Sequence, residues 1–217
     1  MGQYYVPVLI GEDESIRTLY SHDYDNGLKL MEHSYIGNNF VNAVLTELWK
    51  KPARVAWIGD YSDAYQGDRY EEKLSHDAFM RYYHAAWKDR DKHRVRPAPS
   101  VIIDMGSTER YLINHTQRSY IDIADYIALN TLTEKGAWRN GAYDPNATYE
   151  MCVHPLPLLT ACGNNRGGGD YYHPRPDHAL AGSWAFDRIE CSDAFPDGYT
   201  PAMFYFTGKT TEKQKAG

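Results

Sequence analysis

The stretch RYLINHTQRSYIDI, Arg110 to Ile123, constrains the fold most. Two runs rich in aromatic and β-branched residues flank the polar Asn114-His115-Thr116-Gln117-Arg118. A break that short returns the chain antiparallel to itself, so the segment reads as a hairpin. The N-terminus repeats the plan: QYYVPVLIG is a β-forming run, Glu12-Asp13-Glu14-Ser15 turns the chain, and IRTLYSH follows, giving a hairpin over residues 3 to 22. Pro7 lacks an N–H, which places the first strand at a sheet edge. RVAWIGDY (54 to 61) reads as a short strand, YEMCVHPLPLL as a proline-bearing edge strand, SWAFDRIEC as a strand and AMFYFTG as the last one. Thr133 to Thr148, punctuated by Gly, Asn and Pro, reads as a loop.

Helical patterns are fewer. Asp25 or Asn26 is placed to cap a helix starting at Gly27, which Gly37-Asn38-Asn39 interrupts. Phe40, Val44 and Leu48, with Val41, Leu45 and Trp49 beside them, make an apolar stripe that faces a core. That helix must stop before Pro52. A further helix spans His76 to Lys88. The expectation is an α+β fold, a mainly antiparallel sheet built from hairpins with two to three packed helices. One domain covers 1–217, with insertions near 71–100 and 133–148 and a frayed tail over 209–217.

Net charge is −6 and the acids are dispersed, which argues against general nucleic-acid binding, since phosphate contacts need clustered Lys and Arg. The one basic run, Lys88 to Arg96, is interrupted by Asp89 and Asp91. Cys152, Cys162 and Cys191 include no C-x-x-C pair and fit free thiols in a reducing compartment. No apolar run reaches the ~18 residues of a membrane span, so the expected location is cytoplasmic, away from membranes. The 19 tyrosines stand out, because tyrosine suits half-buried strands and recognition faces.

The candidate sites are few. GNNRGGGDYY (163 to 172) carries a triple glycine but neither the G-x-G-x-x-G pattern nor a following helix start, so a phosphate-cradling loop is disfavoured. Its glycines more simply permit positive φ and set Arg166 and Asp170 in place. Asp60 follows Ala56 and Ile58 in strand alternation, and Asp187 shares a face with Ala185, Ile189 and Cys191. A carboxylate on an apolar face must be bonded or paired. Asp60, Asp170 and Asp187 are therefore the catalytic candidates, against a structural role in which Arg54, Arg188 or a tyrosine hydroxyl satisfies them. Arg166, Gly167, Gly168, Gly169, Asp170 and Arg188 are the ligand-binding candidates. Cys162 with His154 or His173 would be a thiolate pair, though buried thiols are more often plain core residues. Nine histidines give no H-E-x-x-H, and His76 and His84 stand two helical turns apart, so no metal site is specified. No pattern specifies a cofactor.

MGQYY, DNGLKLMEHSYIGNNFVNAV, NHTQRSYID, NNRGGGDYY and GSWAFDRI together resemble a family of uncharacterised bacterial and phage proteins. The family has no activity to carry over; the resemblance implies an accessory protein whose motifs centre on Arg166 to Asp170 and Trp184 to Ile189. The leading expectation is a protein-binding module with an acidic, tyrosine-rich face, which in a phage setting would suit inhibition of a host-defence component. The alternatives are a small enzyme or nucleotide-like ligand binder using Asp60, Asp170, Asp187 and Arg166, and a homo-oligomer that buries its tyrosines in its own interface.

Overall fold

The computed structural model describes residues 3–62, 70, 72–96, 110–139, 142–163 and 180–203. The protein is α+β: among the described residues, six α-helices pack on a mostly antiparallel sheet. Strands β1 (Tyr5–Ile10) and β2 (Ile16–Thr18) form the N-terminal hairpin, with Ile10 opposite Ile16. β3 (Ala53–Gly59) pairs antiparallel along β1. Its other edge is shared: β9 (Arg188–Ser192) pairs antiparallel at its start, and β8 (Ala161–Cys162) runs parallel at its end. β4 (Tyr111–Asn114) and β5 (Ser119–Asp122) are the hairpin read from sequence, and β10 (Thr200–Pro201) lies parallel beside β5. The resulting order is β10-β5-β4-β9-β3-β1-β2, with β8 beside β3.

Both faces of the β1–β3 region are covered, which explains why VAWI in β3 is apolar at every position. On one face α2 (Asn39–Lys50), α5 (Ile123–Asn130) and α6 (Pro155–Thr160) join Leu9, Val55, Trp57, Leu112, Ile121 and Ile189 in one core. On the other, α3 (His76–Trp87) brings Phe79, Tyr82 and Tyr83 against Val6, Val8, Ile10, Ala56, Ile58 and Phe186. Each such side chain, fully buried, contributes about 1.5–3 kcal/mol relative to exposure. α2 begins as expected: Asn38 Oδ1 accepts the Phe40 N–H at 2.9 Å, and the chain is extended again at Lys51, before Pro52. A last short helix, α4 (Arg90–His93), follows α3.

The structure corrects several local readings. β1 is an interior strand, not an edge. Tyr5 N–H donates to Leu28 C=O, so odd-numbered N–H groups of β1 point away from β3; Pro7 occupies such a position beyond the end of β2. The helix expected from Gly27 is instead a 3-10 turn (Ser21–Tyr24) and one helical turn, α1 (Leu30–His33). Asn26 does not cap it because its amide is committed to Tyr24 C=O and Asn38. Thr133 to Thr148 belongs to a separate two-stranded ribbon, β6 (Leu132–Arg139) and β7 (Ala142–Met151). Its register shifts between Lys135 and Ala137, where Gly136 takes φ 85°. YEMCVHPLPLL divides: Met151 ends β7, and Pro155 opens α6 as a first helical residue, where its missing N–H is harmless. Only the second half of SWAFDRIEC is strand, because residues 180–186 turn and Phe186 takes φ 64°. Of AMFYFTG, Phe204 onward lies outside the described residues, as does the tail over 209–217.

Candidate functional site

Asp187 has the most developed polar environment. It stands just before β9 and is 1% exposed. Lys73, preceding α3, donates Nζ–H to Asp187 Oδ1 at 2.7 Å and to the Ala185 carbonyl at 3.0 Å. Asn114, the last residue of β4, donates Nδ2–H to Asp187 Oδ2 at 2.8 Å, and Gln117 in the following turn donates to the same oxygen at 2.7 Å. Asn114 Oδ1 in turn accepts the Gln117 backbone N–H at 2.9 Å. One buried carboxylate thus ties together the β4–β5 turn, the start of β9 and the segment leading into α3. The sequence anticipated a satisfied carboxylate here and named the wrong donors. Arg188 turns to Glu12 at 2.7 Å, and Arg54 to Glu14 and Tyr82.

Asp60 lies elsewhere. Its Oδ1 accepts the Tyr4 N–H at 3.0 Å immediately after β3 ends. Asp187 C=O accepts from Val55 near the start of β3, so about 16 Å of strand separates the two carboxylates. They share no centre. Arg166, Gly167, Gly168, Gly169 and Asp170 lie outside the described residues, as does His173.

What does meet at the Asp60 end is a set of sequence landmarks. Gln3, fully buried, packs its carboxamide between Gly59 and Gly163, and Tyr5 donates its hydroxyl to Gln3 Oε1 at 2.9 Å. Both glycines are required by space: a Cβ on Gly59 would sit 2.2 Å from Gln3 Nε2, and one on Gly163 would sit 2.5 Å from the Tyr5 hydroxyl. Gly59→Ala should therefore lower stability by about 1–3 kcal/mol through overpacking. In a Gln3→Ala background the same substitution should cost much less. A thermal-melt double-mutant cycle checks this, and equal costs in both backgrounds would refute the packing argument.

The thiols and buried imidazoles are not poised for catalysis. Burial pushes the Cys152 thiol up to about 11 and that of Cys191 up to about 12, away from reactive thiolate. Cys162 is fully buried. His154 cannot serve it as a base: its Nδ1 accepts the Leu156 N–H at 3.0 Å, and burial drives its pKa down to about 3. His33 donates Nδ1–H to Gly27 C=O at 2.9 Å and accepts from Trp57 Nε1 at 3.1 Å, with its pKa driven down to about 4 by burial. Asp23, in the oxygen-rich His22–Asp25 stretch, bonds Arg94 and Arg96. Among the described residues no group of three His, Cys, Asp or Glu side chains is placed to hold a metal ion.

The remaining feature is an aromatic surface. Tyr111 and Tyr120 project from β4 and β5 on the sheet face that α3 covers only over its β1–β3 half. Phe195, after β9, completes a mutually edge-on trio with centroids 5.8, 5.7 and 5.4 Å apart. Phe195 is 59% exposed, the most exposed of the large apolar side chains among the described residues. Tyr199, beside the same sheet end, bonds His115 and stacks under Arg118. The polar groups around the trio are not uniformly acidic: Arg110 pairs with Asp193, and His115 hydrogen-bonds Glu190. Lys73, Asn114, Gln117 and this trio were not singled out from sequence; the polar turn NHTQR was the only available signal for two of them.

No family model, no curated protein and no solved structure matches this chain. Among the described residues no helix is long and apolar enough to cross a membrane.

Proposed function

We propose that the protein is a non-catalytic binding module that engages another protein through the face centred on Tyr111, Tyr120 and Phe195. The observation that carries the reading is an aromatic trio on the half of the sheet that no helix covers among the described residues, with Tyr111 and Tyr120 half-buried and Phe195 59% exposed. Aromatic anchors ringed by paired charges are what a recognition surface requires: the rings supply apolar area with few rotors, and the charges set orientation. The separation of Asp60 from Asp187 weighs against the rival enzyme built on both. In the bacterial and phage setting that the motifs suggest, a host-defence protein is a suitable partner.

The test is a photo-crosslinking residue installed at Phe195, with a control at Leu129, which is 40% exposed on α5. One defined heterologous adduct from position 195 and none from 129 is the expected result. An adduct to a second copy of the chain would establish the homo-oligomer instead, and no adduct at all would remove the binding face.

A further inference from the structure

The Asp187 cluster does more than satisfy a carboxylate. It brings an amine and a carboxamide, 41 positions apart in sequence, onto the two oxygens of one buried group: Lys73 Nζ at 2.7 Å from Oδ1 and Asn114 Nδ2 at 2.8 Å from Oδ2. Asn114 is fully buried and Asp187 1% exposed, while the Lys73 side chain keeps 30% of its surface. A third contact completes the pattern, because the Gln117 backbone N–H points at Asn114 Oδ1 at 2.9 Å. These are the parts that amide exchange needs: a base on the nucleophile, a donor on the developing oxyanion, and an acid at the leaving group.

We propose that Lys73 and Asn114 join through a self-catalysed isopeptide bond, with Asp187 as the proton carrier. Asp187 Oδ1 takes a proton from the Lys73 ammonium, freeing the amine as nucleophile. Nζ forms a bond to Cγ of Asn114, and the charge that develops on Oδ1 is held by the Gln117 N–H. The carboxyl of Asp187 then delivers a proton to Nδ2, the Cγ–Nδ2 bond breaks, and ammonia leaves. The second proton of the attacking nitrogen passes through Asp187 to the departing ammonia, which leaves as ammonium, so that the carboxylate is regenerated. Atoms and charge balance: the Lys73 ammonium plus the Asn114 carboxamide gives a secondary amide plus ammonium, with no oxidant, metal or co-substrate. Preorganisation replaces an external catalyst, since both partners are already fixed on one carboxylate.

Intact-mass measurement of the purified chain decides the matter. The expected mass is lower than the sequence mass by one ammonia, and Lys73→Met restores the full mass. Tryptic digestion should fail to cut after Lys73 and should yield a branched peptide joining it to the Asn114 segment. A succinimide at an Asn–Gly pair would lose the same mass, but it would persist in Lys73→Met and leave Lys73 cleavable, and that result overturns the proposal. Loss of one water with a Lys73–Asp187 branch would overturn the assignment to Asn114. A wild-type chain at full mass after prolonged incubation at alkaline pH would overturn it outright. Because Asp187→Asn is itself expected to lose stability, the wild-type and Lys73→Met masses carry the decision.

Discussion

Asp187→Ala should lower the free energy of unfolding by about 3 kcal/mol, the lower end of what breaking a buried ion pair costs. The reasoning is local. Removal of the carboxylate leaves the Asn114 amide buried without its acceptor and strips Lys73 and Gln117 of their principal partner. Lys73 reaches water, which limits its share of the loss. Lys73→Met forfeits the Lys73–Asn114 link just as Asp187→Ala does, but it keeps the aliphatic stem and leaves the carboxylate with two amide donors, so it should cost less than Asp187→Ala. Urea titrations of the three chains check both statements. A midpoint for Asp187→Ala within error of wild type would mean that the cluster does not fasten the sheet to the segment before α3.

Acid should weaken the protein well above the range in which carboxylates titrate. His33 and His154 are buried neutral, with pKa values driven down to about 4 and about 3, against about 6.5 for a free imidazole. The unfolded chain therefore binds more protons than the native one between those limits, and stability rises with pH there. Both contributions are complete above pH ~6.5 and are lost as pH falls toward the folded values. Each histidine removes about 1.4 kcal/mol per pH unit well inside that window, so the pair removes about 3 between pH 5.5 and 4.5. Denaturant midpoints measured at pH 7, 6 and 5 should fall progressively. His33→Gln, which can still donate to Gly27 and accept from Trp57, should roughly halve the slope, and an unchanged slope in that variant would exclude His33 as a source.

What could be read from sequence followed periodicity and punctuation. α2 was legible because Phe40, Val44 and Leu48 recur on one face between Asn38 and Pro52, and the 110–123 hairpin because its turn is polar and short. The β6–β7 ribbon was not. In β6 burial does alternate, but the half-buried positions are Leu132, Glu134 and Gly136, and in β7 Thr148, Tyr149 and Glu150 are exposed in succession, so neither strand shows the apolar–polar alternation that marks a half-buried one. α6 was hidden by the very prolines that start it. At the candidate site Asp187 is buried, but not by the alternation read from sequence: it precedes β9 after a turn, and Ala185 packs in the opposite core from Ile189 and Cys191. Its partners could not be found that way, because Lys73 lies 114 positions away and nothing local in EEKLS marks that lysine as an ion-pair donor. The aromatic trio failed for a related reason: Tyr111, Tyr120 and Phe195 meet only once β4, β5 and the chain after β9 are assembled.

The shared edge of β3 has a consequence for how the chain reaches its native state. Arg54 of β3 pairs with Arg188 of β9, 134 positions later, and Trp57 pairs with Ala161 in between. During synthesis β1, β2 and β3, which assemble in the order β2-β1-β3, are complete long before either partner emerges, so β3 waits with one row of backbone donors and acceptors unfilled. Pairings so distant are slow to form, and a bare apolar strand edge invites association with other chains in the meantime. A chain stopped short of residue 188 should accordingly be recovered as aggregate rather than as a loosened version of the same fold.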